Sequence, residues 1–295
     1  MSFYQVAALT VILAVVSAAT TSWWITNERT AFEVVTDESL YTSIRNRGYI
    51  RAGYAVGAPY FVKDPITGEV SGIFADAMYE IAHGLNLEIR WVEEVGYGQM
   101  IEALRSGRVD IIGSGIWINA NRASGADFTA PFFYDAVGAY VRYDDDRFDK
   151  NLVAIDSPSV RISTIDGEMA AAIAAADFPN ASTLSLPQMT DFTQMILNVV
   201  NGKADLTFLG LGVARKYQLQ NPETIRNITK DKPIRVFPVA IMLPIGEHDL
   251  RRAIELATTE LYGNGTINSI ILRYEEVDGS HYRLAAPYAP LSPNE

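Results

Sequence analysis

The chain has 295 residues, a formal net charge of −11 and no cysteine. Without cysteine there is no disulfide, thiol nucleophile, thiolate metal site or lipid-modified thiol. The acidic balance, with a pI near 4.8, disfavours nucleic acid and anionic membrane surfaces as partners.

Residues 3–25 carry no Asp, Glu, Lys or Arg. A run of about 20 such residues is long enough to cross a bilayer. Val6 to Val16 also reads as the apolar core of a secretory signal, with Val16-Ser17-Ala18 as a small-residue cleavage site. Trp23 and Trp24 sit at the far end, where aromatic anchors meet the interface. Residues 1–26 are therefore expected to be a signal peptide or a retained membrane anchor, which exports the rest of the chain. His83, His248 and His281 are far apart and lack neighbours at metal-motif spacing, so no metal or other cofactor is expected.

Beyond the leader, Tyr49–Tyr54 predicts a strand, Gly57–Phe61 a turn with aromatics, and Asp64–Gly68 a hairpin-like turn. Phe74–Leu85 has the periodicity of an amphipathic helix, and Asp76 is expected to cap its start. Leu87–Val92 alternates as a strand. Tyr97–Arg105 predicts a helix ended by Ser106-Gly107, and Val109–Gly113 a buried strand. The order strand, helix, strand, helix, strand predicts an α/β layer with a parallel sheet. Asp144–Arg147 is a polar break.

A second unit of the same order follows it. Strands are expected at 160–165, 183–186, 204–209 and 235–243, and helices at 169–176 and 191–201. Asp249–Tyr262 and Ile267–Tyr274 predict a closing pair of helices. From Asp278 to Glu295 the chain is proline-rich and aperiodic, and reads as a surface extension.

The block Trp117-Ile118-Asn119-Ala120-Asn121-Arg122, followed by Asp127-Phe128-Thr129-Ala130-Pro131-Phe132-Phe133, carries the strongest functional signal. An arginine just past a buried strand edge, on a glycine-opened backbone, can hold a small carboxylate through two parallel N–H donors. The alternative for Arg122 is an ion pair with Asp127. For Asn119 it is a helix cap. Trp117, Tyr97 and Tyr60 are either walls of a cleft or ordinary core residues.

These pieces together resemble family 3 of the extracellular solute-binding proteins, the polar amino-acid receptors of ABC uptake. Gly72–Asp76 is similar to the family's G-F-D-x-D opening of the first helix, keeping only the second aspartate. Tyr97–Asp110 resembles its helix, turn and aspartate. Asn119–Arg122 resembles T-x-x-R with Asn for Thr, and Asp127–Phe133 resembles D-F-S-x-P-Y. Asn201–Asp205 resembles the second-lobe turn. Arg273-Tyr274 stands where Lys-Trp is usual. The resemblance runs from about Tyr49 to about Tyr274.

It implies an α/β, two-lobed periplasmic-binding-protein fold, with a central sheet in each lobe and two crossover strands near 141–145 and 238–242. Lobe 1 would be 46–140 plus 242–275, lobe 2 146–237, and 278–295 the C-terminal extension. The implied function is an extracytoplasmic receptor in the periplasm or cell envelope. It would capture a small carboxylate-bearing solute, amino-acid-like or organic acid, for an ABC permease. The alternatives are a cyclohexadienyl-type dehydratase on the same fold, or the sensing module of a membrane receptor.

The implied ligand-binding residues are Arg122, Asn119, Trp117, Tyr97, Tyr60, Gly115 and Glu168, with no catalytic residue. Trp117 replaces a small hydroxyl residue. Gly210 stands where relatives carry the aspartate that holds the α-ammonium. Glu168 replaces a small hydroxyl residue in the second-lobe loop, and either takes over the ammonium or marks a ligand without one. Arg215 could reach an anion from lobe 2 or be a surface charge.

Overall fold

The computed structural model describes residues 39–275 and 279–283. The expected signal or anchor at 1–26 and most of the C-terminal extension lie outside these residues. No helix among the described residues is long and apolar enough to cross a membrane.

The first half opens with α1 (Leu40–Arg47) and β1 (Tyr49–Tyr54). A two-stranded hairpin, β2 (Val62–Lys63) with β3 (Val70–Ser71), leads into α2 (Ile73–Gly84), β4 (Glu88–Glu94) and α3 (Met100–Arg105). Then come β5 (Ile111–Trp117), the one-turn helix α4 (Ala120–Ala123), β6 (Asp127–Phe128) and the long strand β7 (Phe133–Arg142).

A 3-10 turn (Leu152–Ile155) opens the second half, before β8 (Arg161–Ile165), α5 (Met169–Asp177) and β9 (Ser182–Leu186). It continues through α6 (Phe192–Val200), β10 (Leu206–Gly210), α7 (Leu211–Gln220), β11 (Ile225–Asn227) and β12 (Arg235–Leu243). The chain closes with α8 (His248–Gly263), α9 (Thr266–Tyr274) and β13 (His281–Tyr282). The strands run β4-β1-β5-β12-β7-β10-β8-β9, with β6 on β12 and both β11 and β13 on β7.

The β1–β4, β1–β5, β8–β9 and β8–β10 pairs are parallel, as the βαβ order requires, whereas β7 and β12 run antiparallel to their neighbours. One structural device occurs twice. Gly107 and Gly202 take positive φ after α3 and α6, a conformation open to a residue without Cβ. The chain then turns to an aspartate. The buried Asp110 accepts the Arg51 backbone N–H at 2.6 Å and the Arg51 guanidinium at 2.8 Å. Asp205 accepts the Arg161 backbone N–H at 2.8 Å. Each carboxylate thus satisfies a backbone donor of the neighbouring strand, within β1 at Arg51 and at the start of β8 at Arg161.

The two largest hydrophobic clusters lie in different halves, with Trp117 and Val213 packed against both. One packs Phe74, Met78, Ile111 and Phe133 with Val239, Ile241, Ile254 and Ile271. The other packs Val137, Val141, Ile162, Ile173, Met195 and Phe208. The changeover falls between Phe133 and Val137 on β7, upstream of the 141–145 segment expected to cross over, and between Phe237 and Val239 on β12.

Three readings of the sequence need correction. Asp76 does not cap α2. Gly72 occupies the N-cap, and Asp76 accepts hydrogen bonds from Arg273 at 2.7 Å and Tyr274 at 2.9 Å, which ties α9 to α2. Helix α7 had no sequence signal beyond a weak one at Arg215. The start of the tail is not peripheral: His281 and Ser280 are buried, and β13 pairs with β7 at His281↔Asp135 and Tyr282↔Tyr134.

Candidate functional site

Strand β5 ends at Trp117, and Asn119 then turns the chain into α4. The Asn119 Oδ1 accepts the Arg122 backbone N–H at 2.8 Å, so the cap foreseen for it is present. This cap points the Arg122 side chain back toward the end of β5. Its guanidinium donates to the Trp117 carbonyl at 3.0 Å and to the Gly167 carbonyl, from the second half of the chain, at 3.1 Å. Arg122 is only 8% exposed and forms no ion pair among the described residues. Asp127, its alternative partner, instead accepts the Gly246 N–H at 3.0 Å. Burial lowers the Arg122 pKa, and the nearby Glu168 carboxylate works against that shift. A desolvated cation held only by neutral carbonyls is short of an anion.

Two spaces meet at Arg122. The inner cavity is lined by Tyr60, Tyr97, Gly115, Trp117, Arg122 and Glu168, and has about 40 Å³ open to the centres of water-sized molecules. Ile116, Met169, Phe192, Phe208, Leu209, Gly210 and Val213 complete its wall. An outer pocket of about 510 Å³, in the same measure, shares Tyr97, Arg122, Glu168 and Met169 with it and adds Asn119 and Phe237. Of the seven residues singled out from the sequence, six line the inner cavity and Asn119 lines the outer pocket.

Each has a defined local role. The Trp117 ring stacks on Phe237 with centroids 5.1 Å apart and an 11° interplanar angle, so it is both wall and packing. Tyr97 lies against Phe192 at 6.3 Å, and burial, with Glu168 adding to it, raises its phenol pKa. Gly115 has φ +79°, and a Cβ there would fall inside the Phe74 ring, so both conformation and space demand glycine. Glu168 is the N-cap of α5, accepting the Ala170 N–H at 2.7 Å. Burial raises its pKa, while the cap bonds and Arg122 oppose the rise. Arg215 is exposed on α7 and lines neither space.

The two halves touch across this region. Asn119 Nδ2 lies 3.0 Å from the Met169 sulfur, and Gly98 N–H donates to Gln188 at 3.0 Å.

Sequence reasoning missed Asp135. It lies on β7 where the cores change over and is completely buried. The Tyr60 hydroxyl donates to its Oδ2, while its Oδ1 has no partner. Burial pushes its carboxyl up to about 7, against hydrogen bonds from Tyr60 and Trp117 that hold it down. Among the described residues no group of three or more His, Cys, Asp or Glu could hold a metal ion.

The comparisons agree with this architecture. The ancestral amino-acid-binding protein described as a precursor of cyclohexadienyl dehydratase superposes with a TM-score of 0.71 at 21% identity, covering 81% of this chain and 100% of that one. A putative ABC-transporter binding component from Wolinella succinogenes, complexed with lysine, gives 0.70 at 22% identity, covering 79% and 97%. The cysteine-binding protein of Campylobacter jejuni gives 0.71 at 18% identity, covering 82% and 96%. In sequence, a probable histidine-binding protein of Campylobacter jejuni is 27% identical over 159 residues, 53% of this chain. The match spans 58% of that relative's length. The bacterial extracellular solute-binding proteins, family 3, match as a family over residues 50–276, and with that span in a two-core α/β framework the chain belongs to this family.

Proposed function

We propose that the protein is an extracytoplasmic receptor that captures a small carboxylate-bearing solute, amino-acid-like or organic acid, for an ABC importer. The observation that carries this reading is the Arg122 guanidinium: buried, without an ion pair, and aimed between an inner cavity and an outer pocket. A carboxylate entering there would gain a forked, charge-assisted contact in a desolvated place. Relatives named for histidine, lysine and cysteine support an amino-acid-like solute. In this reading residues 1–26 export the chain, each of the two large cores is a lobe, and the partners are the solute and an ABC permease, with no cofactor and no nucleic acid.

Arg122→Ala is expected to weaken binding of the captured carboxylate by about 2–5 kcal/mol, the usual cost of removing one partner of a desolvated charge pair. Arg122→Lys restores only part, because the fork is lost. Calorimetry on both variants tests this, and an affinity within about threefold of wild type for the Ala variant removes Arg122 from the site.

A second reading has one observation in its favour. Glu168 is a buried carboxyl with a raised pKa on the cavity wall, the kind of group that can donate a proton during an elimination. Incubation with arogenate and prephenate, followed for product, separates a dehydratase from a receptor that binds without turnover.

A further inference from the structure

The cavity has a cationic end at Arg122. The Glu168 carboxylate lines its wall, and a second carboxylate, that of Asp135, lies behind the part of the wall made by Tyr60, Trp117 and Gly210. Gly210 ends β10 opposite Val137 of β7. Its φ of −60° and ψ of 146° are open to any residue, so the backbone does not require glycine there. Space does. A Cβ at 210 would overlap Asp135 Oδ2. The Asp135 carboxylate therefore occupies the position toward which a side chain at 210 would point.

We propose that Asp135 is the second recognition group of the solute site and selects a solute bearing a protonated amine in addition to its carboxylate. This inference rests on the receptor reading above. It also replaces Glu168 as the candidate amine partner, since one Glu168 oxygen is committed to the α5 cap.

Charge balance is missing at Asp135. Asp135 is fully buried, keeps Oδ1 unpartnered, and receives only neutral donors, Tyr60 from the 57–61 turn and Trp117 from β5. A basic residue, His281 of β13, stands directly cross-strand from Asp135. Burial pushes that imidazole down to about 4, so it is uncharged near neutrality and supplies no counter-ion. Tyr140, on Asp135's own strand, is held protonated by burial. Arg122 and Glu168 complete the charged groups of the cavity wall. A buried carboxylate with an open oxygen and no protein cation gains most from a cation that arrives with the ligand. Arg122 and Asp135 then bind opposite ends of one dipolar molecule.

The probes are the standard L-amino acids, each beside its deamino carboxylic acid, assayed by thermal shift and calorimetry. Wild type is expected to prefer at least one amino acid over its deamino partner by roughly thirtyfold or more. Asp135→Asn, near-isosteric, is expected to remove that preference while the deamino acid binds within about threefold of its wild-type affinity. Proton release supplies a measurement that needs no variant. At pH 6 the amine-bearing solute drives a proton from the Asp135 carboxyl, seen as a dependence of binding heat on buffer ionisation enthalpy, and its deamino partner does not. The release disappears in Asp135→Asn.

Equal binding of amino and deamino acids by wild type overturns this inference and leaves the receptor reading standing. So does an amine preference that persists in Asp135→Asn. Binding of no carboxylate in the panel overturns both.

Discussion

At the scale of single residues, the pair Gly210 and Asp135 shows how two positions share one volume. Gly210→Asp is expected to destabilise the protein by about 1–3 kcal/mol, because the added atoms overlap the Asp135 carboxylate in a packed place. Combining it with Asp135→Ala is expected to recover most of the loss. The N-cap conformation at 210 suits aspartate, and only one carboxylate then occupies the space. Urea denaturation of the two single variants and the double variant tests this, and additive losses would show that the two sites do not interact. The candidate site was legible in the sequence where it depends on local chain: Arg122, Asn119 and Trp117 stand within one strand-to-helix turn. Asp135 was not legible. Within Phe133-Tyr134-Asp135-Ala136-Val137 a lone acid reads as solvent-facing, and its burial is set by Tyr60, Gly210 and His281, all more than 70 residues away in the chain.

At the scale of elements, β13 is the departure with the most consequence. It brings His281 opposite Asp135, and the two groups titrate with opposite sign in overlapping windows. Asp135 is raised from 3.8 to about 7, so between these values the folded state holds more protons and stability falls as pH rises. His281 is lowered from 6.5 to about 4. In that window the unfolded state holds more protons, and stability rises with pH. From about pH 4 to 6.5 the contributions oppose each other. Melting temperatures measured across a pH series separate them. The difference between Asp135→Asn and wild type is expected to grow in favour of the variant from pH 4 to 7. The difference between His281→Gln and wild type is expected to move in favour of wild type from pH 4 to 6.5. Parallel curves for all three proteins would show that neither group is perturbed by folding. Most helices and strands were readable from periodicity and glycine stops, as with α2, α8 and the 235–243 strand. Among those that were hidden are α7, whose Leu-Gly-Val-Ala-Arg-Lys run has no clean apolar face, and β13, a two-residue strand that only the edge of β7 makes possible.

At the scale of the molecule, two cores joined through β7 and β12 make rotation about those strands the economical motion. The contacts that hold the halves together, Arg122 to the Gly167 carbonyl and Gly98 to Gln188, would break on opening. A solute held from both sides shifts the population toward the closed form, since its affinity differs between the two forms. Small-angle scattering at saturating solute is expected to show a smaller radius of gyration than without it. An unchanged profile would argue for a site formed by one half alone.

The pairing of β13 with β7 lies where the two cores exchange strands. A fulcrum travels least when the arms of a lever swing. The His281 amide, which donates to the Glu275 carboxylate, sits at such a point, so it should stay slow to exchange with deuterium while that of Gly98, out on the arms, exchanges each time the arms part. β13 would then act as a bearing for such a hinge, steadying its axis without taking part in the swing.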